Sequence, residues 1–143
     1  MSFNSFEELD CWKAAKEVRL FVEKIIAKLP VQEKFDLVDN MRRAARSSTR
    51  NIAEGFGRYY YQENIRFSRQ SRGSQQELMD DLITCRDNGY ITDDEYKAGR
   101  KSLERSLNVL NGYIKYLQNM KDRNPKAEEA EAYYGLSSSP NNE

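Results

Sequence analysis

Near the start of this chain apolar residues return at alternating intervals of four and three: Cys11, Ala15, Val18, Val22, Ile25 and Leu29. A period of 3.6 residues places all six on one narrow stripe, which a strand with its period of two cannot do. The stretch must therefore be an amphipathic helix that buries one face. The same rhythm recurs three more times, so the chain has four such stripes to pack together.

The flanks mark where each helix begins and ends. Ser5 is placed to cap the first helix, with Glu8 reaching back in a capping box, and Pro30 stops it. Such a rod would be about 36 Å long. The second helix starts between Glu33 and Leu37 without a clear cap. It turns Leu37, Met41, Ala45, Ser48 and Ile52 inward and closes at Gly55 and Gly57, with Phe56 packing across its end. The third runs from about Tyr60 to Asn88 with Phe67, Ser71, Ser74, Leu78, Leu82 and Cys85 on its inner face. Asn88-Gly89 is a turn. Thr92 and Glu95 form a second capping box, with Ile91 and Tyr96 at the two positions of a hydrophobic staple. The fourth helix gathers Tyr96, Leu103, Leu107, Leu110, Ile114 and Leu117, and Val109, Tyr113, Tyr116 and Met120 widen that surface. Gly73 and Gly99, inside helices, are expected to permit close helix approach.

Short connections make consecutive helices antiparallel, so residues 1–121 are expected to form one all-α domain, an up-down-up-down four-helix bundle. Residues 122–143 lose the periodicity and end in Ser, Asn and Pro, the composition of a disordered acidic tail. Three prolines, seven glycines and 32% charged residues favour helices over a turn-rich β fold. No apolar run reaches the roughly 20 residues that a bilayer requires. The opening MSFNSFEELD lacks the layout of a signal peptide. No membrane partner is expected, and the cytoplasm is the expected location.

Chemistry is narrowly bounded. The chain has no histidine, which excludes the usual zinc sites and histidine-activated nucleophiles. Cys11 and Cys85 fall at apolar helical positions and read as small buried hydrophobes. Asp80 and Asp81 stand at the wrong helical angles to share one interior site. No catalytic residue, metal or cofactor is expected.

Charge is the other strong signal. Residues 42–72 hold eight arginines (Arg42, Arg43, Arg46, Arg50, Arg58, Arg66, Arg69 and Arg72) against Glu54 and Glu63, a net of +6 in a formally neutral chain. Arg42, Arg43, Arg46 and Arg50 occupy an arc centred roughly 150° from the inner stripe of their helix. Arg66, Arg69 and Arg72 project from the outer side of the third. Such a surface suits an anionic partner, with RNA or another single-stranded nucleic acid the leading candidate. Tyr60 and Tyr61, beside Tyr59 and Arg58, are candidate stacking platforms, each worth about 1–3 kcal/mol per base, the alternative being that this cluster packs the end of the bundle. The alternative is a protein-interaction scaffold whose arginines hold subunits or an acidic partner. Local pairs such as Glu54 with Arg50 or Arg58 would contribute about 0.3–0.5 kcal/mol each. Ile65, Met79 and Ile83 align on the outer side of the third helix. With Val109, Tyr113 and Tyr116 they mark an expected subunit interface.

The run RRAARSSTRNIAEG, Arg42 to Gly55, resembles the arginine-pair, alanine-pair, Asn-Ile-Ala-Glu-Gly signature of the bacterial four helix bundle protein family. That family is also called the 23S rRNA intervening-sequence protein family, since some members are encoded within insertions in ribosomal RNA genes. Trp12-Lys13-Ala14, Arg66-Phe67, Gly73-Ser74 with Glu77-Leu78, and Gly89-Tyr90 match in the expected order. The resemblance covers roughly residues 6–118. Asn51, Glu54, Gly55, Ser74 and Glu77 are its motif positions; Asn51 and Glu54 are expected to fix neighbouring arginines or bond across helices. The resemblance implies a four-helix protomer in a ring-shaped homo-oligomer, typically a pentamer, without enzyme activity. A related branch resembles accessory proteins of diversity-generating retroelements, basic barrels that bind nucleic acid and a reverse transcriptase, which implies that enzyme as a further partner. This chain departs from that branch in its zero net charge. It also carries Ser48, Ser68, Gln70 and Ser71 where more apolar residues are usual.

Overall fold

The computed structural model describes residues 3–124, so the expected tail lies almost wholly outside the described residues. Four helices make up the bundle: α1 (Asp10–Ile26), α2 (Leu37–Phe56), α3 (Tyr61–Asp87) and α4 (Asp93–Arg123). Helix α1 packs on α2 and α4, and α3 packs on the same two, which is the up-down-up-down arrangement.

The first helix is shorter at both ends than its flanks suggest. Ser5 caps a 3₁₀ turn, Phe6–Glu8, with its Oγ accepting from the Glu7 amide at 3.1 Å. Glu8 reaches back to the amide of Asn4, one residue too far for a capping box. Leu9 is extended and drives its side chain into the core, so regular helix begins only at Asp10. At the other end the helix stops at Ile26, ahead of the proline. Lys28 and Leu29 close a tighter turn onto the carbonyls of Ile25 and Ile26, and Pro30 leads into a second 3₁₀ turn, Val31–Glu33. Residues before a proline avoid helical geometry, and the rod is about 26 Å long at 1.5 Å per residue.

The other boundaries match their local chemistry. No side chain caps α2 at Asp36, although the Glu33 carboxylate accepts from the Leu37 amide. Helix α3 ends in a Schellman turn. Tyr90 N–H bonds to Cys85 O at 2.9 Å and Gly89 N–H to Arg86 O at 3.0 Å, with Gly89 at φ +72°, a conformation glycine adopts without strain. Thr92 and Glu95 complete the reciprocal capping box of α4, and Ile91 and Tyr96 are both buried beside it. Lys28 also bonds to Glu95, and this holds the Glu95 carboxyl below its ordinary value.

The interior divides in two. One apolar cluster, around Val22, Ile25, Met41, Leu82 and Leu103, fills the end with the α1–α2 turn. A second, around Leu9, Ile52, Ile65, Leu110 and Ile114, fills the other. Between them along α2, α3 and α4 lie Ser48, Ser71, Gln75 and Ser106, all fully buried. Ser71 Oγ donates to Ser48 O at 2.7 Å, and Gln75 Nε2 donates to Ser71 Oγ at 3.3 Å. The serines that depart from the apolar pattern therefore build a polar waist, which lets α2 and α3 approach closely.

Three expectations about α3 are overturned. Ile65 is not an exposed subunit contact: it is 1% exposed, inside the protomer's own core. Met79 and Ile83, half-buried against the other cluster, still present part of their surface on the flank of α3. Projecting 27 residues onto one helical wheel ignores a drift of about 20° per heptad. Over three heptads the inner arc sweeps by about 60°, which carries Ile65 inward. Phe67, expected inside, is half-buried at the edge, and Asn64, Ser68 and Gln75 take inner positions. Gly73 has nothing within 4 Å of where its β-carbon would stand, so it admits no close approach, whereas a β-carbon on Gly99 would stand 2.6 Å from the Phe21 ring.

Candidate nucleic-acid interface

Arg42, Arg46 and Arg50 follow one another at intervals of four along α2, a spacing that keeps them on one flank. Few of the predicted arginines are neutralised. Arg58 faces Glu54 at 3.6 Å within the helix end, and Arg46 reaches Glu23 of α1 at 4.0 Å, both between largely exposed groups. Exposed pairs of this kind contribute little, typically below about 1 kcal/mol. Arg43 donates to Asn40 Oδ1 at 2.6 Å and Arg72 to Asn111 Oδ1 at 3.1 Å, which are neutral acceptors. Arg58 and Arg66 lie over the Phe67 ring, 4.9 and 5.4 Å from its centroid. Among the described residues, Arg42, Arg50 and Arg69 have no ion-pair or hydrogen-bond partner.

The fold separates these cations into groups. Arg46 and Arg50 lean toward α1, Arg72 leans toward α4, and Arg58 and Arg66 meet at the junction of α2 and α3. On the α1 side, Arg46 and Arg50 are joined by a residue outside the arginine-rich stretch. Arg19 Nη1 donates to Thr49 Oγ1 at 2.9 Å. Together with Trp12, Phe6 and Ala53 these residues line a cleft of about 290 Å³ between α1 and α2. Sequence reading missed Arg19. Its position on α1, one residue past the inner Val18, is the only local hint, and the register of α1 on α2 supplies the rest.

The tyrosine cluster divides by exposure. Tyr59 is 84% exposed and meets Tyr60 edge-on at 5.2 Å. Tyr61 packs against the second apolar cluster, and Tyr60 and Tyr61 help line a hollow of about 170 Å³ with Phe3, Phe56 and Tyr113. Tyr59, rather than the two tyrosines expected to stack, is the outermost ring. On the neighbouring face Val109, Tyr113 and Tyr116 line an apolar groove of about 260 Å³ with Phe3, Leu9 and Cys11. Tyr113 accepts from Asn64 Nδ2 at 3.0 Å, and burial pushes its hydroxyl up to about 12.

The motif positions act mainly in packing. Asn51 Nδ2 donates to Ser47 O and Ser47 Oγ, both at 2.9 Å, and Ser47 Oγ meets Ser74 Oγ of α3 at 2.9 Å. Asn51 thus orients the hydroxyl that bridges the helices, and among the described residues its side-chain amide donates to Ser47 rather than holding an arginine. Glu54 selects Arg58 over Arg50. Gly55 is buried where α3 leaves no room for a β-carbon, and Glu77 is exposed. Burial, joined by the charges of Asp80 and Glu77, pushes the Asp81 carboxyl up to about 6. Among the described residues no group of three or more Cys, Asp or Glu side chains is placed to hold a metal ion, and no helix is long and apolar enough to cross a membrane.

Among curated proteins none matches this chain. The family described as 23S rRNA-intervening sequence protein matches residues 7–112, which takes in α1, α2, α3 and most of α4. The matched stretch contains the arginine-rich second helix, the Ser47–Ser74 bridge and the close α2–α3 packing at Gly55. By that match and by its four-helix architecture, the chain belongs to the 23S rRNA-intervening sequence protein family.

Proposed function

We propose that this protein is a non-enzymatic, cytoplasmic, ring-forming homo-oligomer that holds nucleic acid, RNA or another single strand, on its arginine surface. The observation that carries the reading is electrostatic. Of the eight arginines between residues 42 and 72, only Arg46 and Arg58 face a carboxylate among the described residues, each across an exposed pair. Guanidinium groups left with neutral partners or none keep their attraction for phosphate. A protomer engaging three phosphates of a single strand would contribute a salt-dependence slope of about −2. A ring repeats that contact around its circumference, so modest patches sum to firm binding.

Support for self-assembly comes from apolar surface. Val31 and Phe35 are 85% and 82% exposed at the α1–α2 turn, and Leu20 and Tyr116 are also exposed. With Ile65 inside the core, Tyr116 and its groove with Val109 and Tyr113 become the better subunit contact. Five copies is the number the family resemblance implies, and a reverse transcriptase is the further partner implied by the retroelement branch.

Fluorescence anisotropy with labelled single-stranded RNA and DNA at two salt concentrations tests the function. Binding that weakens with salt and is lost in Arg46→Glu/Arg50→Glu, with the assembled mass unchanged by light scattering, is the expected result. Loss of the oligomer in that variant would favour the scaffold reading, in which the same arginines hold subunits together. A monomer for the unmodified protein would remove the ring.

A further inference from the structure

The cleft between α1 and α2 brings guanidinium groups from two helices together beside an aromatic end. Arg19 comes from α1, Arg46 and Arg50 stand one turn apart on α2, and none of the lining residues is acidic. Arg19 is already oriented by its bond to Thr49 Oγ1, which uses one of its five N–H donors. Arg50 has no partner among the described residues, and the Arg46–Glu23 contact is at 4.0 Å. Toward Ala53 the cleft meets Trp12, which is half-buried, with the Phe6 ring edge-on at 5.3 Å and the Lys16 ammonium 5.4 Å from its centroid. A cation seats on the electron-rich face of an indole, and Lys16 is itself exposed, so that face is reached from solvent once the ammonium moves aside.

We infer that this cleft is where a single-stranded nucleic acid docks: phosphates seat on Arg19, Arg46 and Arg50, and a base displaces Lys16 to stack on Trp12. The inference rests on the nucleic-acid reading above and gives it a location. Three converging guanidiniums recognise phosphate oxygens by paired N–H donors. The aromatic end selects a strand whose bases have free faces, since bases inside a duplex are already stacked on one another. Trp12 and Arg19 thereby act with α2, although both lie outside the arginine-rich stretch.

Trp12 is the only tryptophan in the chain, so its emission reports on this cleft alone. The full-length protein is titrated with an oligouridylate, following Trp12 emission and, with a labelled copy, anisotropy. Quenching of Trp12 with the same midpoint as the anisotropy change is expected. Arg50→Gln, which removes a side chain with no internal partner, weakens binding several-fold and reduces the steepness of the salt dependence by about 0.7. Arg19→Gln does the same with helicity intact by circular dichroism, whereas Lys101→Gln on α4 removes equal charge without effect. Salt-sensitive RNA binding with Trp12 emission unmoved and both arginine variants binding like the parent would overturn the cleft and leave the basic-surface reading standing. No RNA binding in the anisotropy would overturn both. Equal quenching by duplex would overturn the selection of single strands.

Discussion

Gly55 of α2 and Asn64 of α3 approach so closely that a β-carbon on Gly55 would lie 2.7 Å from Asn64 Oδ1 and 3.1 Å from the Asn64 carbonyl oxygen. Asn64 in turn donates to Tyr113 of α4 and accepts from Ser68, so one glycine sets the spacing of three helices. Gly55→Ala is expected to lower the unfolding free energy by about 1–3 kcal/mol through overpacking, despite the better helix propensity of alanine. Gly73, exposed on α3 with open space around it, gives the opposite sign. Gly73→Ala should raise stability by up to about 1 kcal/mol. Urea denaturation of the two variants decides; a Gly55→Ala variant as stable as the parent would contradict the close contact.

Ile65 offers a test of the inward sweep of α3. Being 1% exposed among Ile52, Leu110 and Ile114, it should cost about 2–5 kcal/mol when truncated to alanine. Ile65→Glu, which would place a charge among those side chains, is expected to lose the cooperative helical melt. Ile83→Glu, on the half-buried flank, keeps the fold. Thermal melts followed at 222 nm, a conventional helix wavelength, separate the two.

Ser106 is fully buried and its hydroxyl has no hydrogen-bond partner among the described residues. A buried hydroxyl without a partner carries an uncompensated desolvation penalty, so Ser106→Ala should stabilise the bundle by about 1 kcal/mol. A loss of stability in chemical denaturation would mean that the polar waist holds an additional bond through this oxygen.

Asp81 titrates near neutrality. Its folded value of about 6 exceeds the ordinary carboxyl value of 3.8, because burial and the carboxylates of Asp80 and Glu77 penalise the anion. Between those two values the folded chain binds a proton that the unfolded chain lacks. Stability from this group therefore rises as pH falls through about 6 and levels off near 3.8. Partial exposure limits the effect to about 1 kcal/mol. Asp81→Asn should stabilise the protein at pH 7 and flatten the Tm profile between pH 7 and pH 5 relative to the parent.

Both thiols should be inert in the native state. Burial pushes Cys11 up to about 12 and Cys85 up to about 11, and the Cys85 thiol donates to the Met41 sulfur at 3.7 Å. A thiol-disulfide reagent at pH 8 is expected to label neither cysteine until denaturant unfolds the bundle, and both thereafter. Rapid labelling of Cys11 in the native protein would indicate that the apolar groove beside it opens.

Much of this architecture is legible in the linear order of residues, and for a local reason. The inner faces of α2 and α4 are set by 3.6-residue periodicity. The Thr92–Glu95 box and the Gly89 turn depend on residues a few positions apart. Signals of that kind lose reliability when competing local bonds exist, as at Ser5, where a 3₁₀ turn satisfies the same donors that a helix would. They also lose reliability over long helices, as at Ile65, because a wheel of fixed pitch does not follow the supercoil.

The order of residues alone therefore determines four amphipathic helices, their antiparallel succession and an outward arginine flank on α2. Packing was needed to settle which arginines become neighbours. The fold brings Arg19 and Trp12 to Arg46 and Arg50, turns Arg72 toward Asn111, and joins Ser47 to Ser74. Those encounters depend on the axial register and rotation of one helix against the next. Register and rotation are set by how whole side-chain surfaces interlock, a property spread over the interface and carried by no single short motif.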